Sequence, residues 1–381
     1  MDLDFSPEQD LLRESVRGTF ERSGGLDAAR KLENDPVGYS PELWSQLADL
    51  GVLGLLIDED LGGSGMSMLD GAVVYEEIGR ALVPSPHLVS CVLAAGAIGR
   101  AARPQLAQRY LPAIASGERI VSVAALEPGN GFGPAGVQLT AAPDGAGYRL
   151  TGNKVHVPFA QAASDLLVVA RTGSGRDAQG IVLVLVPSDA PGISIEQVRT
   201  MSSDTQFNVS FDNVLADHTD VVHEGDGAWA AWHDTMLDGA TLIAAQAAGG
   251  ARATLELMVD YAQTRHQFDR PLAGFQAISH YLADSVTAVD GAQTIAWEAA
   301  WARTEGRPVA MLAPMAKSFA CKTFRDVTAT AQQIYGGNGF TVEFDVQLYF
   351  RRAKALQLNN WDDHYLDELI AAEVLGQKMH A

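Results

Sequence analysis

Apolar residues recur at three- and four-residue intervals from the start of the chain: Leu11, Leu12, Val16 and Phe20 follow Ser6-Pro7-Glu8-Gln9. That spacing puts them on one helical face. The four preceding residues read as a helix start, with Ser at the cap, Pro at the first helical position and Gln placed to close a capping box. The same period predicts helices over Pro41–Leu50, Met68–Ala81, Pro86–Ala102 and Pro104–Ser116, separated by Gly51, Leu61-Gly62-Gly63-Ser64-Gly65 and Pro84. At Ile120 the pattern changes. Short β-rich runs, punctuated by Gly, Pro and Asp, predict strands at 121–126, 137–142, 148–151, 154–157, 165–170, 181–187, 193–197 and 207–214. From Gly225 the helical period returns, over 228–264, 277–304, 309–334, 345–357 and 362–377. The expectation is an α+β multidomain chain. It comprises an N-terminal helical domain (1–117), a central β-barrel or sandwich domain (118–225) and a C-terminal four-helix-type bundle (226–381).

Composition narrows the classes. The chain has 381 residues, 47% of them hydrophobic, enough for a large core. No apolar run is long enough to cross a bilayer, and Met1-Asp2-Leu3-Asp4 lacks the basic start of a signal peptide. A soluble, cytoplasmic protein is expected. The formal net charge of -20 argues against nucleic acid or an anionic membrane as partner. Any anionic ligand must then be held by a few placed cations and backbone N–H groups. Cys91 and Cys321 make neither a disulfide framework nor a metal cluster, and no metal site is expected.

The connection Arg265-His266-Gln267-Phe268-Asp269-Arg270-Pro271-Leu272-Ala273-Gly274-Phe275-Gln276 is unusual for a turn between two long helices. Pro271 and Gly274 forbid one continuous helix. A guanidinium offers a rigid fork of donors to phosphate oxygens, two phenylalanines offer flat apolar faces, and Gln276 both donates and accepts. A purely architectural reading has the phenylalanines anchoring the loop and Arg265 facing a helix C-terminus.

In residue type and spacing, Arg-x-x-Phe-x-x-Pro-Leu-x-x-Phe-Gln resembles the signature of the acyl-CoA dehydrogenase family of flavoproteins. Gln333-Ile334-Tyr335-Gly336-Gly337-Asn338-Gly339-Phe340 matches its Gln-x-x-Gly-Gly-x-Gly-aromatic loop, whose glycines admit phosphates to backbone N–H groups. The order helical, β, helical bundle is also that family's arrangement. The resemblance implies FAD as cofactor, an acyl-CoA thioester as substrate and electron-transfer flavoprotein as electron acceptor. It implies an oligomer, dimer or tetramer, in which the loop of one subunit holds the pyrophosphate and adenosine of a neighbour's FAD. Carried over residue by residue, the cofactor-binding candidates are Arg265, Phe268, Gln276, Gln333, Gly336 and Gly337.

Other positions depart from the family. Where relatives read Thr-Glu-Pro-x-x-Gly-Ser-Asp, this chain has Leu126-Glu127-Pro128-Gly129-Asn130-Gly131-Phe132-Gly133. On the next strand, where relatives place a Trp and a hydroxyl residue against the flavin ring, it has His156 and Pro158. His156 reads either as a flavin-contacting group or as a satisfied strand histidine. Arg351-Arg352-Ala353-Lys354 matches the helix leading to the usual catalytic Glu, but that position is Asn360. The alternative base position of isovaleryl-type relatives falls on Gly239. Three aspartates are catalytic candidates: Asp363, Asp238 and Asp362. The last two residues of that loop, Asp362-Asp363, also read as a helix N-terminus, where acids are favoured.

An intact remote half and an altered near half match the base-lacking subunits of heteromeric bacterial, steroid side-chain type acyl-CoA dehydrogenases. The first expectation is such a subunit, completing the FAD site of a paralogous catalytic partner in a heterotetramer. The second is a self-sufficient flavoenzyme with an Asp base. The third is a non-catalytic acyl-CoA-binding or assembly protein.

Overall fold

The computed structural model describes residues 5–129 and 131–376. The expected features at Met1–Asp4 and Asn130, and the tail beyond 376, lie outside the described residues. The capping box forms as expected: the Ser6 side chain accepts from Gln9 N, and Gln9 Oε1 accepts from Ser6 N. It starts α1 (Pro7–Arg22). Then come α2 (Gly25–Lys31), α3 (Pro41–Asp49) and α4 (Met68–Ala81). The expected helix at 86–102 is split, opening as a π-helical turn at Leu88–Ala94 before α5 (Ala95–Gly99); α6 (Pro104–Ala115) follows.

The central region is one eight-stranded sheet. Its strands are β1 (Val121–Ala124), β2 (Thr140–Asp144), β3 (Gly147–Pro158), β4 (Asp165–Arg171), β5 (Ile181–Pro187), β6 (Ile193–Val198), β7 (Gln206–Asp217) and β8 (Val221–Glu224). Their order is β6-β7-β3-β2-β4-β5-β8, with β1 paired to β4. The runs expected at 148–151 and 154–157 are a single strand. It pairs with β7 throughout, and the register slips between Leu150 and Gly152 and between Lys154 and Val157. Such slips are β-bulges, which bend a strand without ending it. All seven residues of β4 are buried, as are the first six of β5, which explains their unbroken apolar sequence.

The last region holds α7 (Ala228–Thr264), a small hairpin of β9 (His266–Gln267) and β10 (Arg270–Pro271), α8 (Gln276–Thr304), α9 (Leu312–Tyr335), α10 (Val346–Leu358) and α11 (Asp363–Leu375). The order helical, β, helical is the expected fold class.

By contacts the chain divides into two compact units: residues 5–30, 68–83 and 240–376, and residues 31–67 and 84–239. In the first, α1 packs on α4, α4 on α8, and α8, α10 and α11 on α9. Here α4 and α7 cross backbone to backbone. A Cβ at Gly79 would lie 1.8 Å from Gln246 O, and one at Gly249 would lie 2.0 Å from Glu76 O. In the second unit the π-helical turn abuts β1, where Val121 N donates to Ser90 Oγ over 3.1 Å.

Candidate functional site

The first unit carries the Arg265 loop. Its helix α7 runs out at Thr264, and Arg265 N still donates to Tyr261 O (2.9 Å). The chain then reverses in a hairpin with Pro271 opposite His266 and Arg270 opposite Gln267. The two turn residues, Phe268 and Asp269, both have positive φ, 52° and 61°. That is the left-handed pair of a type I′ turn, normally filled by Asn or Gly. A phenylalanine there is strained. Its ring is 88% exposed, so it does not anchor the loop to the core. It meets Phe275 edge-on at 6.2 Å, and the Arg270 guanidinium lies 3.9 Å over the Phe275 ring. Arg265 and Gln276 are exposed on the same connection.

The glycine turn lies beside it. Helix α9 ends at Tyr335, and Gly336 turns the chain with φ 60° and ψ -135°. A Cβ at Gly336 or Gly337 would meet nothing within 4 Å, so this backbone is open to a ligand. Gln333 is exposed, whereas Gln332 is buried. Three contacts join the two loops. The Tyr261 and Tyr335 rings stack, Tyr335 OH donates to Leu257 O (3.1 Å), and Asn338 Nδ2 donates to Tyr261 OH (3.0 Å). An exposed guanidinium, open glycine N–H groups, two amides and a flat aromatic face make a donor set that fits the phosphate and adenosine end of FAD.

The near-half residues lie in the second unit and are otherwise employed. Lys154 and Glu127 form a buried pair at 2.7 Å; Lys154 Nζ also donates to Ala125 O (2.9 Å), and Glu127 accepts from Gln138 N and Leu139 N. Burial lowers the Lys154 ammonium to about 8, against the pull of Glu127. Pro158 O accepts from the Ser122 hydroxyl. His156 is exposed at the second bulge with φ 53°, and its Nδ1 lies 2.8 Å from Gln206 Oε1.

The usual base position belongs to the first unit. Asn360 and Trp361 both have left-handed φ, 51° and 76°. The loop is pinned by buried Lys317, whose Nζ donates to Trp361 O (2.7 Å) and Leu356 O (3.2 Å). Burial holds that ammonium below the usual lysine range, opposed by Cys321, Asp363 and Asp362. Asp362 is the N-cap of α11, accepting from Tyr365 N over 3.0 Å. Asp363 Oδ2 accepts from Gln357 Nε2, and Gln357 Oε1 accepts from Lys354 Nζ (2.9 Å). Its other oxygen, Oδ1, is buried without a hydrogen bond among the described residues.

The alternative base position is in the second unit. A Cβ at Gly239 would lie 2.7 Å from Leu93 Cδ2. Its neighbour Asp238 is buried and ion-paired to Arg100, whose Nε also binds Asp234 at 2.8 Å.

One site escaped sequence reasoning. In the first unit a cleft of about 400 Å³ is lined by Arg13, Arg17, Arg80 and Arg252 around Glu76 and Glu77. Glu76 accepts from Trp297 Nε1 (2.5 Å) and sits 3.4 Å from Arg13. Burial pushes its carboxyl up to about 7, opposed by Arg13 and the indole. Two adjacent carboxylates inside the apolar run of α4 were the available signal.

Three family models match in chain order: acyl-CoA dehydrogenase N-terminal domain (residues 6–118), middle domain (122–214) and C-terminal domain (225–375). The chain is 32% identical over 334 residues to acyl-CoA dehydrogenase FadE27 of Mycobacterium tuberculosis, covering 85% of this chain and 86% of that one. It is similar to the ChsE4–ChsE5 complex of Mycobacterium tuberculosis, with TM-score 0.89, 28% identity and coverage of 99% and 100%. A variant of the Tcur3481–Tcur3483 steroid ACAD is also similar, with TM-score 0.85, 31% identity and coverage of 97% and 99%. With the cofactor-fitting loops in place and the family models spanning nearly the whole length, the chain belongs to the acyl-CoA dehydrogenase family of FAD-dependent oxidoreductases acting on CH–CH groups.

Proposed function

We propose that this chain is the base-lacking subunit of a heteromeric acyl-CoA dehydrogenase and completes a partner's FAD site. The observation that carries the reading is the state of the two base positions. One is the amide Asn360, and the other, Gly239, has Leu93 packed where a side chain would begin. An amide cannot take the α-proton of a thioester, which needs a carboxylate of suitable basicity. Bound FAD supplies the hydride acceptor. This chain's part is to hold the cofactor: Arg265 neutralises pyrophosphate, the Gly336 and Gly337 N–H groups and the Gln276 and Gln333 amides orient it, and Phe268 covers an aromatic face. The ChsE4–ChsE5 relative, named as a complex of two components, supports a two-chain assembly. The steroid relative supports a polycyclic acyl group as the substrate class. Electron-transfer flavoprotein is the acceptor carried over with the family. The test is purification of the chain alone and co-expressed with an acyl-CoA dehydrogenase from a neighbouring gene that keeps its Glu. The chain alone is expected colourless and inactive, and the pair yellow and active. A yellow, active single chain overturns the reading.

A second reading makes the chain self-sufficient with Asp363 as base. Asp362 is engaged as the cap of α11 and Asp238 in an ion pair with Arg100, whereas Asp363 accepts from the neutral Gln357 amide, which favours it as the base. Asp363→Asn would then abolish turnover of the single chain and leave its colour.

A further inference from the structure

The cleft of the first unit, walled by α1, α4, α7 and α8, holds a guanidinium that is only loosely paired among the described residues. The Arg13 side chain is 21% exposed, yet it reaches carboxylates no closer than 3.4 Å (Asp10), 3.4 Å (Glu76) and 3.9 Å (Glu77). Charge-assisted bonds are normally about 2.7 to 2.9 Å long. The other arginines of the cleft close onto partners. Arg17 grips Glu77 with Nε and Nη2 at 2.8 and 2.7 Å, Arg80 pairs with Glu256 through two nitrogens, and Arg252 sets Nε and Nη2 on Gln293 and Asp290. In both Arg17 and Arg252, Nη1 has no hydrogen-bond partner among the described residues.

The carboxylates do not make up the deficit. Glu77 is already held by Arg17. Asp10 and Glu256 are 59% and 49% exposed, so water screens them. Glu76 is buried, and burial raises its carboxyl to about 7, so at lower pH it is neutral. Arg13 and Arg17 then share the one buried carboxylate that is ionised, Glu77.

We infer that this cleft binds a small dianion, a sulfate or phosphate group, with Arg13 as its central cation and Nη1 of Arg17 and of Arg252 as further donors. The volume of about 400 Å³ exceeds what a bare ion needs, so the molecule that carries the group also fits. In a chain of net charge -20 an anion site has to be built from placed cations, and none of the cofactor-binding candidates lines this one. The anion and an ionised Glu76 compete for Arg13, so the anion binds together with a proton. The charged groups that share the cleft with Glu76 are Asp10, Arg13 and Arg17 from α1, Glu77 and Arg80 from α4, and Arg252 and Glu256 from α7. Helix α8 adds the neutral Gln293 and Trp297, and its Asp290 holds Arg252.

The test is isothermal titration of sulfate, whose charge is constant over the range, into the purified full chain with its partner and flavin where they co-purify. At fixed ionic strength in chloride, sulfate is expected to saturate at pH 6 and to bind about tenfold more weakly at pH 8, the most that one proton near 7 can contribute. Arg13→Gln should weaken binding at pH 6 by about tenfold or more, the worth of a charged hydrogen bond. Glu76→Gln keeps an acceptor for Trp297 and should bind equally at both pH values. Crystals soaked in selenate should show the heavier ion against Arg13 by its anomalous signal. Phenyl phosphate separates the sources: tighter binding than sulfate at pH 7 supports an ester-borne group, and weaker binding supports the free ion. Sulfate that does not saturate at pH 6, or binds Arg13→Gln as well as wild type, overturns the inference. So does a selenate ion found only elsewhere, or a pH effect that persists undiminished in Glu76→Gln. Should Arg13→Gln fail to fold, Glu76→Gln and the selenate position still decide.

Discussion

The rings of Tyr261 and Tyr335 lie 4.0 Å apart between centroids and 13° from parallel, with Phe344 edge-on to both. Tyr261 is one turn before Arg265 on α7, and Tyr335 is the last residue of α9 before Gly336. The stack therefore fixes the helix end that launches the Arg265 loop against the helix end that launches the glycine turn. Tyr335→Phe keeps the stack and loses only the bond to Leu257 O, at a cost of about 1 kcal/mol. Tyr335→Leu loses both and should cost about 2 to 3 kcal/mol. Thermal melts and FAD titrations are expected to rank the two variants in that order. Equal losses would mean that the stack positions nothing.

Arg265 is exposed, so its removal should spare the fold and act on the cofactor alone. Arg265→Ala is expected to weaken FAD binding by about 10- to 100-fold, from the loss of charged hydrogen bonds. Arg265→Lys keeps the charge without the two-pronged geometry and should recover only part of the affinity. Fluorescence titration of the assembled protein reads both. Wild-type affinity in Arg265→Ala would remove the guanidinium from the cofactor site.

Glu76 gives a stability signature with a definite sign. Its folded-state carboxyl lies near 7, raised from 4.5 mainly by burial. The native state thus holds this proton more tightly than the unfolded chain. Ionisation penalises the fold, and stability is lost as pH rises from about 4.5 through about 7. Glu76→Gln keeps an acceptor for Trp297 and has no charge to desolvate. The variant is expected to gain on wild type across that window, by up to roughly 3 kcal/mol above pH 7. Denaturant melts at pH 5 and pH 8 measure the difference. A pH-independent difference would show that Arg13 already neutralises the carboxylate.

The element types were legible because each rests on local period, and period survives in the folded chain. The hairpin inside the Arg265 connection was not, because Phe268-Asp269 is a poor sequence for a left-handed turn pair. Nor was β8, only four residues long, or the continuity of β3 through its bulges. At the site, Arg265 and the glycine turn were legible as motifs. Their coupling through Tyr261 and Tyr335 was not, since it spans more than seventy residues of sequence. The contact between His156 and Gln206 and the Arg13–Glu76 cleft were hidden for a similar reason. Their partners meet only after the sheet and the helices have closed.

The base position offers a gain-of-function test. Lys317 ties down both flanks of residue 360, through Leu356 O and Trp361 O, and the Trp361 indole is buried beside Tyr365 at 5.5 Å. The loop is thus preorganised even though it presents an amide. Glutamate tolerates the left-handed backbone at 360 less well than asparagine, a penalty of about 1 kcal/mol that this anchoring can absorb. Asn360→Glu, assayed in the flavin-loaded pair whose partner has lost its own catalytic Glu, is therefore expected to raise acyl-CoA dehydrogenation by about 100-fold or more, the usual worth of a positioned base. Asn360→Gln, equal in length but not basic, should give no gain. Adding Lys317→Met to Asn360→Glu should remove most of the gain while flavin stays bound, because the carboxylate loses its fixed position. If Asn360→Glu binds flavin, melts normally and still gains nothing, residue 360 does not reach the thioester. The self-sufficient reading with Asp363 as base would then become the stronger one.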